Sequence, residues 1–198
     1  MKSVHKTVVL GDSGVGKSTL IYRLSRGSFL QPSVTIWGEF QTVKLSDTIK
    51  LQMWDPSGQE RFRALPQVFY RNTDVYIAVV DMSKGQNHEE IIGEIDFWLT
   101  KVERDSSDNV IKCLVGAKSD IQHPSALKTI EMKDLAIKTW NMDYFETSSR
   151  NGDGFDSLQY YLCERITKEV LRSQSIQFTQ NMHLQGLAAV PPKKSCKC

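Results

Sequence analysis

The sequence predicts an α/β fold, a doubly wound sheet of six strands, mostly parallel with one antiparallel hairpin, carrying about five helices. Three observations lead there. Apolar strand-like runs alternate with helical patterns as far as Leu171, which is how a parallel sheet with helical crossovers reads. Only Ser46-Asp47-Thr48 separates the second and third strand runs, a link of hairpin length. And the glycine-rich run Gly11-Asp12-Ser13-Gly14-Val15-Gly16-Lys17-Ser18 stands between the first strand run and the first helical stretch.

The elements follow in order. The apolar run Val4 to Leu10 reads as a buried strand; Lys17 to Arg26 reads as a helix. Glu39 to Leu45 and Ile49 to Asp55 form the hairpin, and a short helix is expected between Gln59 and Tyr70. Strands over Val75 to Asp81, Val110 to Gly116 and Asp143 to Thr147 alternate with helices over Glu89 to Glu103 and Glu131 to Trp140. A last helix spans Gly154 to Leu171, with Leu158, Tyr161, Leu162, Ile166 and Val170 at helical spacing. Periodicity then fades into Gln, Asn and Ser, followed by Pro191-Pro192-Lys193-Lys194. Residues 1–172 therefore read as one domain, and residues 173–198 as a flexible tail reaching roughly 25–30 Å as a coil.

Composition narrows the function. With 40% hydrophobic and 24% charged residues in 198, the chain has the make-up of a soluble globular protein. No apolar run approaches the roughly 18 residues of a membrane span, and Met1 to His5 has no secretory core. Lys193, Lys194 and Lys197 face no acids between Ser173 and Cys198, so the remaining body is nearly neutral. Such a body gives no footprint for nucleic acid. The four cysteines and four histidines show no metal-ligand spacing, and a reducing, cytosolic setting is expected.

The glycine run fits the P-loop pattern, in its required place between a strand and a helix. An ordinary glycine turn is the alternative that this context argues against. Glycines let the backbone approach a polyphosphate closely. Amides of Ser13, Gly14, Val15, Gly16, Lys17, Ser18 and Thr19 are then the candidate phosphate donors, helped by the helix N-terminus. Lys17 supplies positive charge for the β- and γ-phosphates, and Ser18 a hydroxyl for Mg²⁺.

Downstream segments refine the ligand. Asp55 ends a strand, where doubly wound sheets bind ligands; it is a candidate for Mg²⁺ through water, with Gly58 N–H for a γ-phosphate and Gln59 to orient water. Ala117-Lys118-Ser119-Asp120 ends another strand. The Asp120 carboxylate accepts from guanine N1–H and the N2 amine together, a donor pair adenine lacks, and so disfavours an ATP-using enzyme. Ser148, Ser149 and Arg150, after the last strand, add backbone groups at the base.

With these motifs in order, the chain resembles a Ras-superfamily small GTPase of the Rab family over Val4 to Leu171. Lys50-Leu51-Gln52-Met53-Trp54-Asp55, Gly58-Gln59-Glu60-Arg61-Phe62-Arg63 and Phe69-Tyr70-Arg71 are the Rab-like stretches. Cys196-Lys197-Cys198 resembles the Rab double-prenylation signal rather than a four-residue prenylation box. The resemblance implies that Thr35 binds Mg²⁺ and the γ-phosphate, and that Phe29 packs on guanine. It also implies that Phe40, Trp54 and Phe69 face effectors, although half-buried sheet packing explains Trp54 equally well. Lys17 and Gln59 are the catalytic candidates, Ser18, Thr35 and Asp55 the metal candidates, and Lys118 a base-site candidate.

Several positions depart from that family. Ala117 stands where its members have asparagine, which predicts weaker nucleotide binding and faster GDP release. Pro56 and Ser57 replace threonine and alanine, which bears on hydrolysis and on switch II. Thr35-Ile36-Trp37-Gly38-Glu39-Phe40 carries an indole in place of glycine, either as a partner anchor or as a cover for the sheet.

The expected function is a GTP/GDP switch with Mg²⁺ and slow hydrolysis, recruiting effectors to membranes in vesicle traffic. Its expected partners are effector proteins, an exchange factor, a GTPase-activating protein and a prenyl-binding escort. A monomer is expected, on the cytoplasmic face of an intracellular membrane through Cys196 and Cys198, with a cytosolic pool. The alternative is a pseudo-GTPase scaffold at the membrane that holds nucleotide poorly or never hydrolyses it.

Overall fold

The computed structural model describes residues 4–29, 40–55, 70–103, 109–121 and 123–188. Chain order runs β1 (Val4–Leu10), α1 (Lys17–Arg26), β2 (Phe40–Lys44), β3 (Lys50–Trp54), β4 (Val75–Asp81), α2 (His88–Glu103), β5 (Ile111–Ala117), α3 (Thr129–Trp140), β6 (Asp143–Thr147) and α4 (Phe155–Ala188). A single 3₁₀ turn, Met82–Lys84, follows β4. The expected short helix between Gln59 and Tyr70 falls outside the described residues.

The six strands form one sheet in the order β2-β3-β1-β4-β5-β6. β2 and β3 pair antiparallel, with Phe40 opposite Trp54 and Lys44 opposite Lys50; the remaining pairs are parallel. Alternation along each strand divides the core. Val9, Ile77, Val79 and Val115 point to the face covered by α1 and α4, through Leu20, Leu24, Leu158 and Leu162. Val8, Leu10, Ala78 and Val80 point to the face covered by α2 and α3, through Ile95, Trp98, Met132 and Ala136. Helices on both faces make the sheet doubly wound, and β1 lies where the chain turns from one side to the other. Such a switch point leaves a crevice at the carboxyl ends of the strands.

β5 runs one residue further than its apolar pattern implies and takes in Ala117. Register then sets Asp81, Ala117 and Thr147 side by side at the carboxyl ends of β4, β5 and β6. The turn after β1 crosses close over β4. A Cβ on Gly11 would run into the Val79 carbonyl oxygen, and Gly11 has φ +139°, a conformation that favours glycine.

α4 continues to Ala188, past the Leu171 at which its apolar stripe ends. No proline or glycine interrupts the chain between Arg172 and Gln185, so nothing local stops a helix already under way. Residues 171–176 are exposed; this stretch extends by propagation and not by packing. No helix among the described residues is long and apolar enough to cross a membrane. Cys113 is fully buried in the core and Cys163 half-buried; burial pushes the Cys113 thiol well above its ordinary range.

Candidate functional site

The site is built on the turn between β1 and α1. Gly14 and Gly16 have φ +78° and +114°, and Gly16 caps α1 without a side chain. The first amides of α1 therefore face the concave side of the turn, where an anion is favoured. Thr19 Oγ1 donates to the Gly16 carbonyl at 2.8 Å. Lys17 is 3% exposed, and its Nζ donates to the carbonyls of Gly11 at 2.9 Å and Asp12 at 2.8 Å. The ammonium thus sits inside the curve of the turn, its charge out of bulk water and more effective for that. Ser13, Val15 and Ser18 complete the loop and the start of α1.

The turn has a support that sequence reasoning missed. Asp12 N–H donates to Glu94 Oε1 of α2 at 3.3 Å, and Trp98 Nε1–H donates to Asp12 Oδ1 at 3.1 Å. Gln86 Nε2 donates to Glu94 Oε2 at 3.1 Å. Glu94 and Trp98 are four residues apart and share a helix face, which is the one sequence signal that pairs them. Burial is the main reason that the Glu94 carboxyl is raised above its ordinary range; the Asp12 charge adds to this and the Gln86 hydrogen bond opposes it.

Next to the turn lies a cleft of about 480 Å³. It is lined by Thr19, Phe29, Ala117, Lys118, Asp120, Ile121, Ser149 and Arg150. Lys118, at φ +62°, sends Nζ to the Gly14 carbonyl at 2.7 Å and to Asp81 Oδ2 at 2.6 Å. Ser148 Oγ donates to Asp120 Oδ1 at 2.6 Å and accepts from Asn151 N–H at 3.1 Å. It is the Ser148 side chain, beyond the backbone that the sequence offered, that holds the Asp120 carboxylate.

Asp81 joins β4 to the cleft through Lys118. Burial on its own would raise its carboxyl, but hydrogen bonds from Lys118 and from the Ser83 hydroxyl and N–H outweigh it and hold the group below the ordinary range. A depressed carboxyl contributes stability that is present above its unfolded value, 3.8, and is lost as the pH falls through the folded one. Asp81→Asn is expected to lower stability by about 1–3 kcal/mol at neutral pH. The gap from the unsubstituted protein should narrow below about pH 4. Urea unfolding of both proteins at neutral and acid pH measures it; a gap independent of pH would contradict the role given to Asp81.

The metal candidates meet only in part. Ser18 lies in the first turn of α1, and Asp55, 6% exposed, follows the carboxyl end of β3. A hydroxyl and a carboxylate are hard oxygen donors of the kind Mg²⁺ takes together with phosphate and water. Among the described residues no group of three His, Cys, Asp or Glu side chains is placed to hold a metal alone. Ser18 and Asp55 therefore suit an ion completed by a polyphosphate. Of the effector candidates, Phe40 is 50% exposed and lies against Trp54 with ring centroids 5.1 Å apart and the planes tilted by 36°. Lys6 Nζ lies 5.6 Å from the Trp54 ring centre. Thr35, Trp37, Pro56, Ser57, Gly58, Gln59, Phe69, Cys196 and Cys198 lie outside the described residues.

Comparison with known proteins agrees with this geometry. A protein-family model described as the Ras family matches residues 6–168. Ras-related protein rab-11.1 of Caenorhabditis elegans is 33% identical over 203 aligned positions, covering 98% of this chain and 94% of that protein. Ras-related protein RABA4b of Arabidopsis thaliana is 36% identical over 179, covering 86% and 78%.

Proposed function

The chain belongs to the Ras family of small GTPases, in its Rab branch, and on that premise we propose that it is a guanine-nucleotide switch that binds GTP, hydrolyses it slowly and recruits effectors to membranes in vesicle traffic. The observation that carries this is a buried Lys17 under the glycine turn, tied through Lys118 to a cleft in which Ser148 fixes Asp120. The turn suits a polyphosphate and the cleft a guanine.

The roles follow from placement. The α1 amides and Lys17 bind the β- and γ-phosphates; Phe29, Lys118 and Asp120 bind the base, with Ser148, Ser149 and Arg150 behind it. Gln59 orients a water whose oxygen bonds to the γ-phosphorus as the bond from phosphorus to the β–γ bridging oxygen breaks; GDP departs with that electron pair. Ser18, Thr35 and Asp55 would hold Mg²⁺, which would offset charge on the phosphate oxygens. Thr35 and Gly58 sense the γ-phosphate, and its loss releases both switch segments. A GTPase-activating protein supplies the arginine finger. An exchange factor and a prenyl-binding escort complete the cycle.

Calorimetry of the nucleotide-stripped protein with GDP, GTP and ATP in Mg²⁺ tests the reading. Binding of GDP and GTP without ATP is expected. Failure to bind either guanine nucleotide would turn the choice to the scaffold reading, which Ala117 favours: its methyl, 2% exposed, supplies no hydrogen bond at the base. With Ala117 a tuning change, Ala117→Asn should slow GDP release about 5- to 150-fold, the worth of a hydrogen bond of 1–3 kcal/mol. A stopped-flow off-rate that does not move rules this out.

Membrane attachment rests on the end of the chain. One prenyl chain binds marginally and two bind stably; Cys196 and Cys198, beside Lys193, Lys194 and Lys197, provide two. Cys196→Ser with Cys198→Ser should leave the protein in the cytosolic fraction, and continued membrane sedimentation would refute the anchor.

A further inference from the structure

One peptide of the glycine turn is gripped at both ends. The Gly11 carbonyl and the Asp12 N–H belong to the same planar unit. The carbonyl accepts from Lys17 Nζ at 2.9 Å, and the N–H donates to Glu94 Oε1 at 3.3 Å. Glu94 of α2 therefore reaches Lys17 of α1 through a single rigid plane. Hydrogen bonds linked in this way polarise one another.

That plane needs holding. Gly11, at φ +139°, has the freedom of a residue without a Cβ, so its own backbone does little to fix how the next peptide is turned. Rotation of the plane would carry the Gly11 carbonyl away from the ammonium. The acceptor that opposes this rotation is itself fixed: Glu94 is half-buried, and Gln86 Nε2 donates to its other oxygen at 3.1 Å. Trp98, one turn along α2, restrains the same residue from its side chain, with Nε1–H to Asp12 Oδ1 at 3.1 Å. The Asp12 carbonyl, in the following peptide, gives Lys17 its second acceptor at 2.8 Å.

We propose that Glu94 is a positioning residue for phosphate binding: by holding the Gly11–Asp12 peptide it fixes the carbonyl that aims Lys17 at the β- and γ-phosphates. This rests on the guanine-nucleotide reading above. What counts is an acceptor at the end of a side chain of this length, not its negative charge. Glu94→Gln keeps that acceptor. The amide N–H₂ it brings faces Gln86, whose buried Oε1 has no hydrogen-bond partner among the described residues and turns toward it by an amide flip. Glu94→Met keeps the length and removes the acceptor.

The test compares the affinities of the full chain for GDP and GMP in Mg²⁺, read by displacement of a fluorescent GDP. GMP has no β-phosphate, so the ratio of the two affinities reports on Lys17 and not on the base. Glu94→Met is expected to lower the ratio about tenfold or more, the worth of a hydrogen bond to a charged group. Glu94→Gln is expected to stay within about threefold of wild type, since its hydrogen bonds are conserved. A Glu94→Met ratio that does not fall, because GDP and GMP are unaffected or weaken together, overturns the inference. So does a Glu94→Gln ratio that falls as far as that of Glu94→Met, since the charge would then be what counts. If Glu94→Met does not fold, Glu94→Asp takes its place with the same expectation: it keeps the charge but withdraws the carboxylate by one methylene from a bond already 3.3 Å long. All these outcomes leave the guanine reading standing; failure of the wild type to bind GDP sinks that reading and the inference with it.

Discussion

Asp120→Ala is expected to weaken GDP binding by about 10²- to 10³-fold and to abolish discrimination against ADP. The carboxylate is the one group placed to accept from both guanine donors, and two charge-assisted hydrogen bonds are worth about 3–5 kcal/mol together. Ser148 Oγ loses its acceptor at the same time, so the loop that carries Ser149 and Arg150 is held less firmly. The prediction is read by calorimetry with GDP and ADP on both proteins. A loss under tenfold, or a preserved preference for GDP, would remove Asp120 from the base site. The folded state should be little affected, since Asp120 lies at the surface of the cleft and outside both core clusters.

Gly154→Ala acts on the fold instead. Gly154 has φ +78°, and a Cβ there would collide with the Glu146 carbonyl oxygen at the end of β6. An L residue in the left-handed region costs roughly 1–2 kcal/mol, and backbone that cannot yield adds more, for a total of about 3 kcal/mol. For a chain of this size that lowers the melting temperature by roughly 6–12 °C. Gly27→Ala is the control. Gly27 also has a positive φ, +67°, but nothing lies within 4 Å of its Cβ position, so only about 1 kcal/mol is expected. Equal losses at the two sites would show that contact with Glu146 contributes nothing. The collision also lies just ahead of Ser148, so Gly154→Ala should loosen nucleotide binding where Gly27→Ala does not.

Legibility in the sequence followed the range of the interaction. Val4–Leu10, Val75–Asp81 and Asp143–Thr147 appear as strands at the bounds the sequence marks; in Val75–Asp81, buried along its whole length, burial on both faces leaves a nearly unbroken hydrophobic signature. The glycine turn and Lys17 are covalent neighbours whose chemistry needs no partner from elsewhere. The grip of Trp98 and Glu94 on Asp12, and of Asp81 on Lys118, joins residues far apart in the chain. Periodicity tells which face of α2 is buried but not which loop it meets. Ser148 escaped for a related reason: its position was legible, its side-chain acceptor was not. The end of α4 was misplaced because a fading apolar stripe marks the end of packing and not the end of a helix.

That last distinction has a mechanical side. Adding a residue to a helix already nucleated has an equilibrium constant near one when no packing rewards it. Residues 172–176, exposed, have no such reward, and the helical segment 172–188 is anchored at one end by the packed turns of α4. As a helix the segment spans roughly 25 Å; as a coil its root-mean-square span is about 22 Å. The average reach hardly changes between the two, but its spread does. A ligand that holds the segment helical would fix the standoff between the nucleotide domain and whatever the chain end is attached to. One that melts it would leave the same mean separation as a loose tether.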